Sequence, residues 1–354
     1  MNESTTIGLD LAKNVFHYVG CDRGGREISK KQLKRKALLS HFANLPSCLV
    51  GMEACAGAHQ WGRQLQAMGH QVRLLPPQHV KAYVRGNKND YNDARAIAEA
   101  VSRPGLRPVA LKTVAQQDVQ ALHRLRSGQV GARTALGNQL RGLLAEYGIV
   151  IPEGLAALRR ALPEILEDAA NGLSDVFRPL LERGLQQLRE LDGHIAYYTG
   201  LIERQGREDE AVRRLQTTIP GFGPIVASAF YSLVGDGQGY RRGRDVAAAL
   251  GLVPAQHSTG GKAVLLGISK RGDRYLRCLL VHGARAVTRQ AADKDDPLST
   301  WLNRLVATVG FNKATVALAN KLARIGWAVL RHRTAYQPAK ACAVAEPTAV
   351  AAAA

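Results

Sequence analysis

Within the first hundred residues of this 354-residue chain, strand and helix signals follow one another in an order that few folds accommodate. Residues 5–11 form an apolar run of strand length, and residues 14–21 a second one rich in β-branched and aromatic side chains. The Asp22-Arg23-Gly24-Gly25 cluster then marks a turn into a third strand over 27–33. A basic helix is expected over 35–44, a short buried strand over 48–52, a helix over 59–68, and a strand over 71–75 that stops at Pro76-Pro77. A last helix over 93–101 ends near Pro104. Three strands followed by alternating helix and strand predict an α/β layer built on a mixed sheet.

The pattern then changes to helical spacing. Leu181, Leu188, Ile195 and Ile202 recur every seven residues with Leu185, Leu191 and Tyr198 between them. Leu122, Leu125, Leu136, Leu140, Leu143 and Tyr147 lie on a similar stripe that Pro152 ends. Two long antiparallel helices are expected, either as core helices of one bundle or as an oligomerising coiled coil; periodicity alone does not separate the two. From Leu215 a mostly helical unit carries glycine-rich turns at 220–224, 235–239 and 260–261. Beyond Pro338 the chain is rich in Ala, Val and Pro and is expected to be disordered. The expected divisions are 1–112, 113–214, 215–337 and 338–354.

Charge narrows the class of partner. Lys and Arg number 48 against 29 Asp and Glu, a formal net charge of +19. Residues 1–149 carry 21 basic and 10 acidic side chains, residues 150–215 carry 9 and 12, and residues 216–340 carry 18 and 6. Two basic lobes thus flank a mildly acidic middle. Self-repulsion of this size is relieved most commonly by nucleic acid, through counterion release. With 46% hydrophobic and 22% charged residues the chain has the composition of a folded protein. The N-terminal segment has no secretory pattern, and no stretch approaches the roughly 18 apolar residues of a membrane span. The five cysteines form no C-x-x-C pair, which argues against a zinc knuckle or disulfide framework. A cytoplasmic protein with no membrane partner is expected.

Four acids stand out in the first basic lobe. Asp10 ends the strand Ile7-Gly8-Leu9-Asp10, Glu53 follows the strand Val50-Gly51-Met52, and Asp90 and Asp93 begin a helix. If the two strands are neighbours, their carboxylates meet at one sheet edge, and a helix packed there adds the other two. Four converging carboxylates repel unless a cation lies among them, and such oxygen ligands suit Mg²⁺ or Mn²⁺. Two ions of this kind can hold and polarise a phosphodiester. The alternative for Asp90 and Asp93 is capping of the helix by an acid at its N-cap and another at N3.

The segments Gly8-Leu9-Asp10-Leu11-Ala12-Lys13, Met52-Glu53-Ala54-Cys55 with Trp61, and Asn87-Lys88-Asn89-Asp90-Tyr91-Asn92-Asp93-Ala94 resemble the DEDD transposases of bacterial insertion sequences. The resemblance continues through Ile219-Pro220-Gly221-Phe222-Gly223-Pro224, Leu250-Gly251-Leu252-Val253-Pro254 and Gly267-Ile268-Ser269-Lys270-Arg271-Gly272-Asp273, with Leu276-Arg277. It implies a RuvC-like N-terminal domain of ribonuclease H fold, a central helical coiled coil, and a mostly helical C-terminal transposase domain with a turn like a helix-hairpin-helix. It further implies DNA recombination by a composite active site: Mg²⁺ on Asp10, Glu53, Asp90 and Asp93, and a serine from the second domain attacking the scissile phosphate. A structured noncoding bridge RNA that pairs with donor and target DNA, and a tetramer linked through the helical middle, are also implied.

The segment matching the family's nucleophile is Gln256-His257-Ser258-Thr259-Gly260-Gly261-Lys262. Counting back from Ser269-Lys270 selects Ser258, which is preferred, whereas counting forward from Pro254 selects Thr259. A Gly-flanked loop near Lys262 would let a phosphate approach the backbone closely and neutralise its charge. His257 is a general base or a loop residue. Lys270, Arg271, Arg274 and Arg277 extend a basic surface, the three arginines on one helical face, that would contact phosphates. Ala263 stands where a P-loop needs Ser or Thr, so no nucleotide hydrolysis is implied. A RuvC-type metal-dependent nuclease acting on branched DNA, with Ser258 only structural, is the alternative. A nonenzymatic DNA-binding descendant is a third reading.

Overall fold

In a computed structural model, which describes residues 4–87 and 89–338, the chain divides into two units, Met1–Val114 and Ala115–Ala354. The first is built on five strands: β1 (Thr6–Asp10), β2 (Val15–Cys21), β3 (Glu27–Lys34), β4 (Leu49–Glu53) and β5 (Gln71–Leu75). Their order in the sheet is β3-β2-β1-β4-β5. β1 runs antiparallel to β2, and β2 to β3, while β4 lies parallel to both β1 and β5. The mixed sheet expected from the sequence is therefore present. The basic segment after β3 makes a 3-10 turn, Arg35–Ala37, before the short helix α1 (Leu38–Ala43).

Alternation along β1 and β4 decides the layers. Ile7, Leu9, Val50 and Met52 point to one face and pack with Phe16, Phe42, Trp61 and Leu65 under α1 and α2 (Ala58–Ala67). Between them Gly8 and Gly51, which are register partners on the adjacent strands, face the other way. There α4 (Asp90–Ser102) rests on them, after the short helix α3 (Pro77–Val80). A Cβ on Gly8 would overlap the Ala94 carbonyl oxygen and the Ala98 amide nitrogen, and one on Gly51 would press on Val101 and Ile97. Two missing side chains on the sheet, Gly8 beneath Ala94 and Ala98 and Gly51 beneath Ile97 and Val101, let the helix backbone approach closely.

The second unit begins with α5 (Val114–Ala145), α6 (Leu155–Glu167) and α7 (Phe177–Glu208). α5 and α7 each have 32 residues, about 48 Å of helix. Arg126 donates to Thr199, Arg133 pairs with Asp192, and Leu140 meets Gly184, so as one helix advances its partner recedes: the two are antiparallel. Asp192 also takes Arg159 of α6 at 2.5 Å. The seven-residue stripe Leu181, Leu188, Ile195 and Ile202 is buried, whereas Leu125, Leu143 and Tyr147 of the earlier stripe are exposed.

The remaining helices are α8 (Glu210–Thr218), α9 (Pro224–Val234), α10 (Gly243–Ala249), α11 (Arg274–Arg289), α12 (Pro297–Val309) and α13 (Phe311–His332). Their core includes Leu215, Phe222, Phe230, Leu280, Leu318 and Leu322. The α8–α9 turn carries Gly221 with φ of 81°, packed against Gly283 of α11.

One part departs from the helical expectation. Residues 254–268 form an antiparallel hairpin, β6 (Pro254–Thr259) and β7 (Lys262–Ile268), with Thr259 opposite Lys262. Gly260 and Gly261 both have positive φ, 58° and 80°, as a two-residue hairpin turn of the favoured hand requires. The loop expected around Ser258 is thus a strand end. The tail expected to be disordered, 338–354, lies outside the described residues except for Pro338. Among the described residues no helix is long and apolar enough to cross a membrane.

Candidate active site

Asp10 and Glu53 each follow the last paired residue of parallel neighbours, since Leu9 is opposite Met52. Both therefore stand at the same edge of the sheet, as their strand positions predict. The glycine shelf two residues earlier seats α4 so that its first turn reaches that edge. Carboxylate oxygens of Asp10, Asp90 and Asp93 lie within 4.8 Å of one another, Asp90 exposed and the other two partly buried. Glu53 stands outside that trio but close enough to feel Asp10 and Asp93 electrostatically.

Capping does not account for the two helical acids. The N-cap is Asn89, whose side chain accepts the Tyr91 amide at 2.9 Å; Asp90 is the first helical residue and Asp93 the fourth. The helix therefore has neither the acidic N-cap nor the acid at N3 that its sequence allowed.

Electrostatics show a cluster short of positive charge. Burial first, then Asp93 and Asp90, push the Asp10 carboxyl above its ordinary range, with His17 opposing them. Burial, then Asp10 and Asp93, push Glu53 up as well. The neighbouring Cys55 thiol is raised by burial and by the same two strand-end acids. Asp10 and Glu53, whose proton affinity is raised by burial and by neighbouring carboxylates, are a fit for a divalent cation, and the all-oxygen donor set suits a hard one. Asp10, Asp90 and Asp93 would hold it, with Glu53 beside them.

Two residues at these sites carry contacts that sequence reading did not assign. His17 is opposite Asp10 in the β1–β2 register, and its Nδ1 lies 3.4 Å from Asp90 Oδ2, outside hydrogen-bond geometry. Its ring meets Tyr91 edge to face at 4.7 Å. A polar residue alternating with buried Phe16 and Tyr18 was the available signal. In the second unit, Gln256 Nε2 donates to Ser258 Oγ at 2.7 Å. The signal there was spacing, because residues two apart on a strand share a face.

Ser258 and Thr259 are both exposed and occupy opposite faces of β6. Lys262 opens the returning strand, opposite Thr259. Lys270, Arg271 and Arg274 are exposed. Arg277 is not part of that surface: it is 9% exposed, and its Nη1 donates to the carbonyls of Leu250 at 3.0 Å and Arg271 at 2.7 Å. Three-residue spacing predicts one solvent face, but α11 begins only at Arg274, and its next turn brings position 277 inward against the chain entering the hairpin. Arg277 thus clamps the two ends of the hairpin. The Lys270 amide donates to Gly251 and the Ser269 amide to Val253 across the same base.

Residues 7–149 match the DEDD transposase family of IS110, and residues 213–296 match the transposase IS116/IS110/IS902 family. A Pseudomonas aeruginosa protein named "Probable family 20 transposase" is 48% identical over 333 residues, 94% of this chain and 98% of that protein. The transposase for insertion sequence element IS1111A of Coxiella burnetii is 45% identical, over 95% of this chain and 92% of its own length. The transposase for insertion sequence element IS1328 of Yersinia enterocolitica is 41% identical, over 95% and 99%. With the matched segments spanning both the acidic cluster and the serine hairpin, the chain belongs to the IS116/IS110/IS902 family of insertion-sequence transposases.

Proposed function

We propose that this transposase recombines DNA by transesterification, with Asp10, Glu53, Asp90 and Asp93 holding Mg²⁺ and Ser258 as the nucleophile. The observation that carries the reading is the convergence of Asp10, at the end of β1, with Asp90 and Asp93 of α4, a helix whose cap is supplied by a different residue. A bound divalent ion would supply charge neutralisation at a phosphodiester. The Ser258 oxygen bonds to phosphorus and gives up its proton to solvent, and the DNA oxygen on the far side of phosphorus leaves with the electron pair and takes a proton from solvent to become a hydroxyl. One phosphoester forms as one breaks, so rejoining needs no nucleotide triphosphate. Gln256, by donating to Ser258 Oγ, fixes that oxygen on the hairpin face. Its partnership with Ser258 favours position 258 over 259.

The strand order, with two antiparallel additions beside a parallel set, supports a RuvC-like ribonuclease H fold for residues 1–112. We read residues 113–214 as a coiled-coil arm joining subunits of a tetramer, residues 215–337 as the transposase domain, and 338–354 as a tail. The two basic lobes suit donor and target DNA together with a guiding bridge RNA, with Lys262, Lys270, Arg271 and Arg274 among the phosphate contacts.

The test is a denaturing gel of protein incubated with Mg²⁺, the RNA flanking its element and labelled junction DNA. A protein-linked DNA band is expected in the wild type and in Thr259→Ala, and none in Ser258→Ala or Asp10→Asn. Cut DNA with a free 5′-phosphate and no linked band in any of them would transfer the case to a RuvC-type nuclease.

A further inference from the structure

We propose that the face of β3 shared with the acidic cluster, carrying Lys30, Gln32 and Lys34, holds the backbone of the DNA strand that leads to those acids. The inference rests on reading the acids as a DNA-cutting site.

The densest run of basic residues in the chain is Lys30-Lys31-Gln32-Leu33-Lys34-Arg35-Lys36, and no Asp or Glu occurs between Glu27 and Glu53. Strand register sorts that run by face. Asp10 is opposite His17, and His17 is opposite Gln32, so the three make one row across the sheet on the α4 side. Lys30, opposite Val19, and Lys34, opposite Val15, flank Gln32 on that same side. Val19 packs with Ala94 and Ala98 of α4, which fixes the side. Lys31 and Leu33 face the other way, Lys31 opposite Tyr18 and Leu33 opposite Phe16.

The row is physically joined to the acids. Lys30 Nζ sits 4.1 Å from the centre of the Tyr91 ring, that ring meets His17, and His17 reaches Asp90. Lys30, Gln32 and Lys34 are exposed, and neither lysine makes an ion pair among the described residues. Glu27, the one acid on the strand, is neutralised by Arg95 at 2.8 Å.

A cluster of carboxylates repels the polyanion it would act on, so charge beside it must hold the strand. Lys30 and Lys34 are four residues apart on a strand, about 13 Å, with the Gln32 amide between them as a further donor. Such a row follows a sugar–phosphate backbone without reading bases. Lysines on an edge strand also discourage pairing with another sheet edge, but that role is indifferent to the face they occupy.

The full-length protein is titrated with a fluorescent duplex DNA of arbitrary sequence, in EDTA, over a range of salt concentrations. The double variant Lys30→Gln/Lys34→Gln is expected to lower the slope of log affinity against log salt by about 2, the loss of two phosphate contacts. Lys31→Gln/Lys36→Gln, which removes the same charge outside the row, should leave the slope as in the wild type, as should Lys30→Arg/Lys34→Arg. An unchanged slope in the first variant, an equal fall in the second, or a fall confined to a duplex RNA of the same sequence would overturn the proposal. Because EDTA removes cleavage from the readout, failure here leaves the transesterification reading to its own gel.

Discussion

At the scale of the residue, the acidic cluster lowers stability through burial and like charge. The Asp10 carboxyl binds its proton more tightly in the folded chain than in the unfolded one, because burial, Asp93 and Asp90 all oppose its charge. The sign follows from linkage: between the ordinary value of 3.8 and the higher folded value, stability falls as pH rises, and above the folded value the full penalty is present. Glu53 contributes in the same direction, starting from 4.5. Asp10→Asn cannot ionise, so in EDTA at pH 7 it should melt above the wild type, although on the proposed mechanism it should not cut DNA. Mg²⁺ should raise the wild-type midpoint and leave that of Asp10→Asn nearly where it was. A lower midpoint for Asp10→Asn in EDTA would show that the carboxylate is a structural anchor. The four acids were legible in the sequence because acids are scarce around them. His17 was not, since its partnership with Asp90 depends on register between β1 and β2 and on where α4 starts. Arg277 misled for a related reason: spacing of three predicts a shared face only where all three residues lie on one helix.

Among the elements, the seating of α4 is the most demanding contact of the first unit. Gly8 and Gly51 stand side by side beneath it, each two residues before a strand-end acid. Gly8→Ala places a methyl group where the helix backbone already is, and it should cost roughly 3 kcal/mol by chemical denaturation. The displaced helix would also carry Asp90 and Asp93 away from Asp10, so Mg²⁺ should no longer shift the melting midpoint. A variant that melts and binds Mg²⁺ like the wild type would disprove the shelf. Strand positions in this unit were readable from alternation and from Pro76-Pro77. The β6–β7 hairpin was not foreseen, although Gly260-Gly261 between short β-prone runs carries the signal; the helical periodicity on both sides outweighed it. The buried heptad stripe of α7 was likewise readable, but the outer half of the α5 stripe was not, because exposed leucines have the same spacing as buried ones.

For the whole molecule, two units have separate hydrophobic clusters, one around Phe16, Met52 and Trp61 and another around Phe222, Phe230 and Leu318. Scanning calorimetry in EDTA should resolve two transitions, and Mg²⁺ should raise the one that Gly8→Ala lowers without moving the other. A single transition displaced as a whole would mean that the units unfold together. Division of charge into two basic lobes was evident from composition, but the packing of residues 115–338 about α5 was not, since His123 of α5 meets Ser228 at 2.8 Å and Tyr275 at 3.0 Å over more than a hundred residues of sequence.

The returning strand of the serine hairpin has a consequence for how the chain survives in a crowded cell. Val264, Leu265 and Leu266 are each at least half exposed, on consecutive positions that cover both sides of β7. Such a segment, short, apolar and β-prone, is a seed for cross-β stacking between copies. Lys262 stands before it and Lys270 and Arg271 after it, which is where gatekeeper charges interrupt stacking. The same cations that would grip a phosphate backbone therefore keep the unoccupied hairpin in solution, and replacing them to weaken nucleic-acid binding also removes the chain's protection against aggregation.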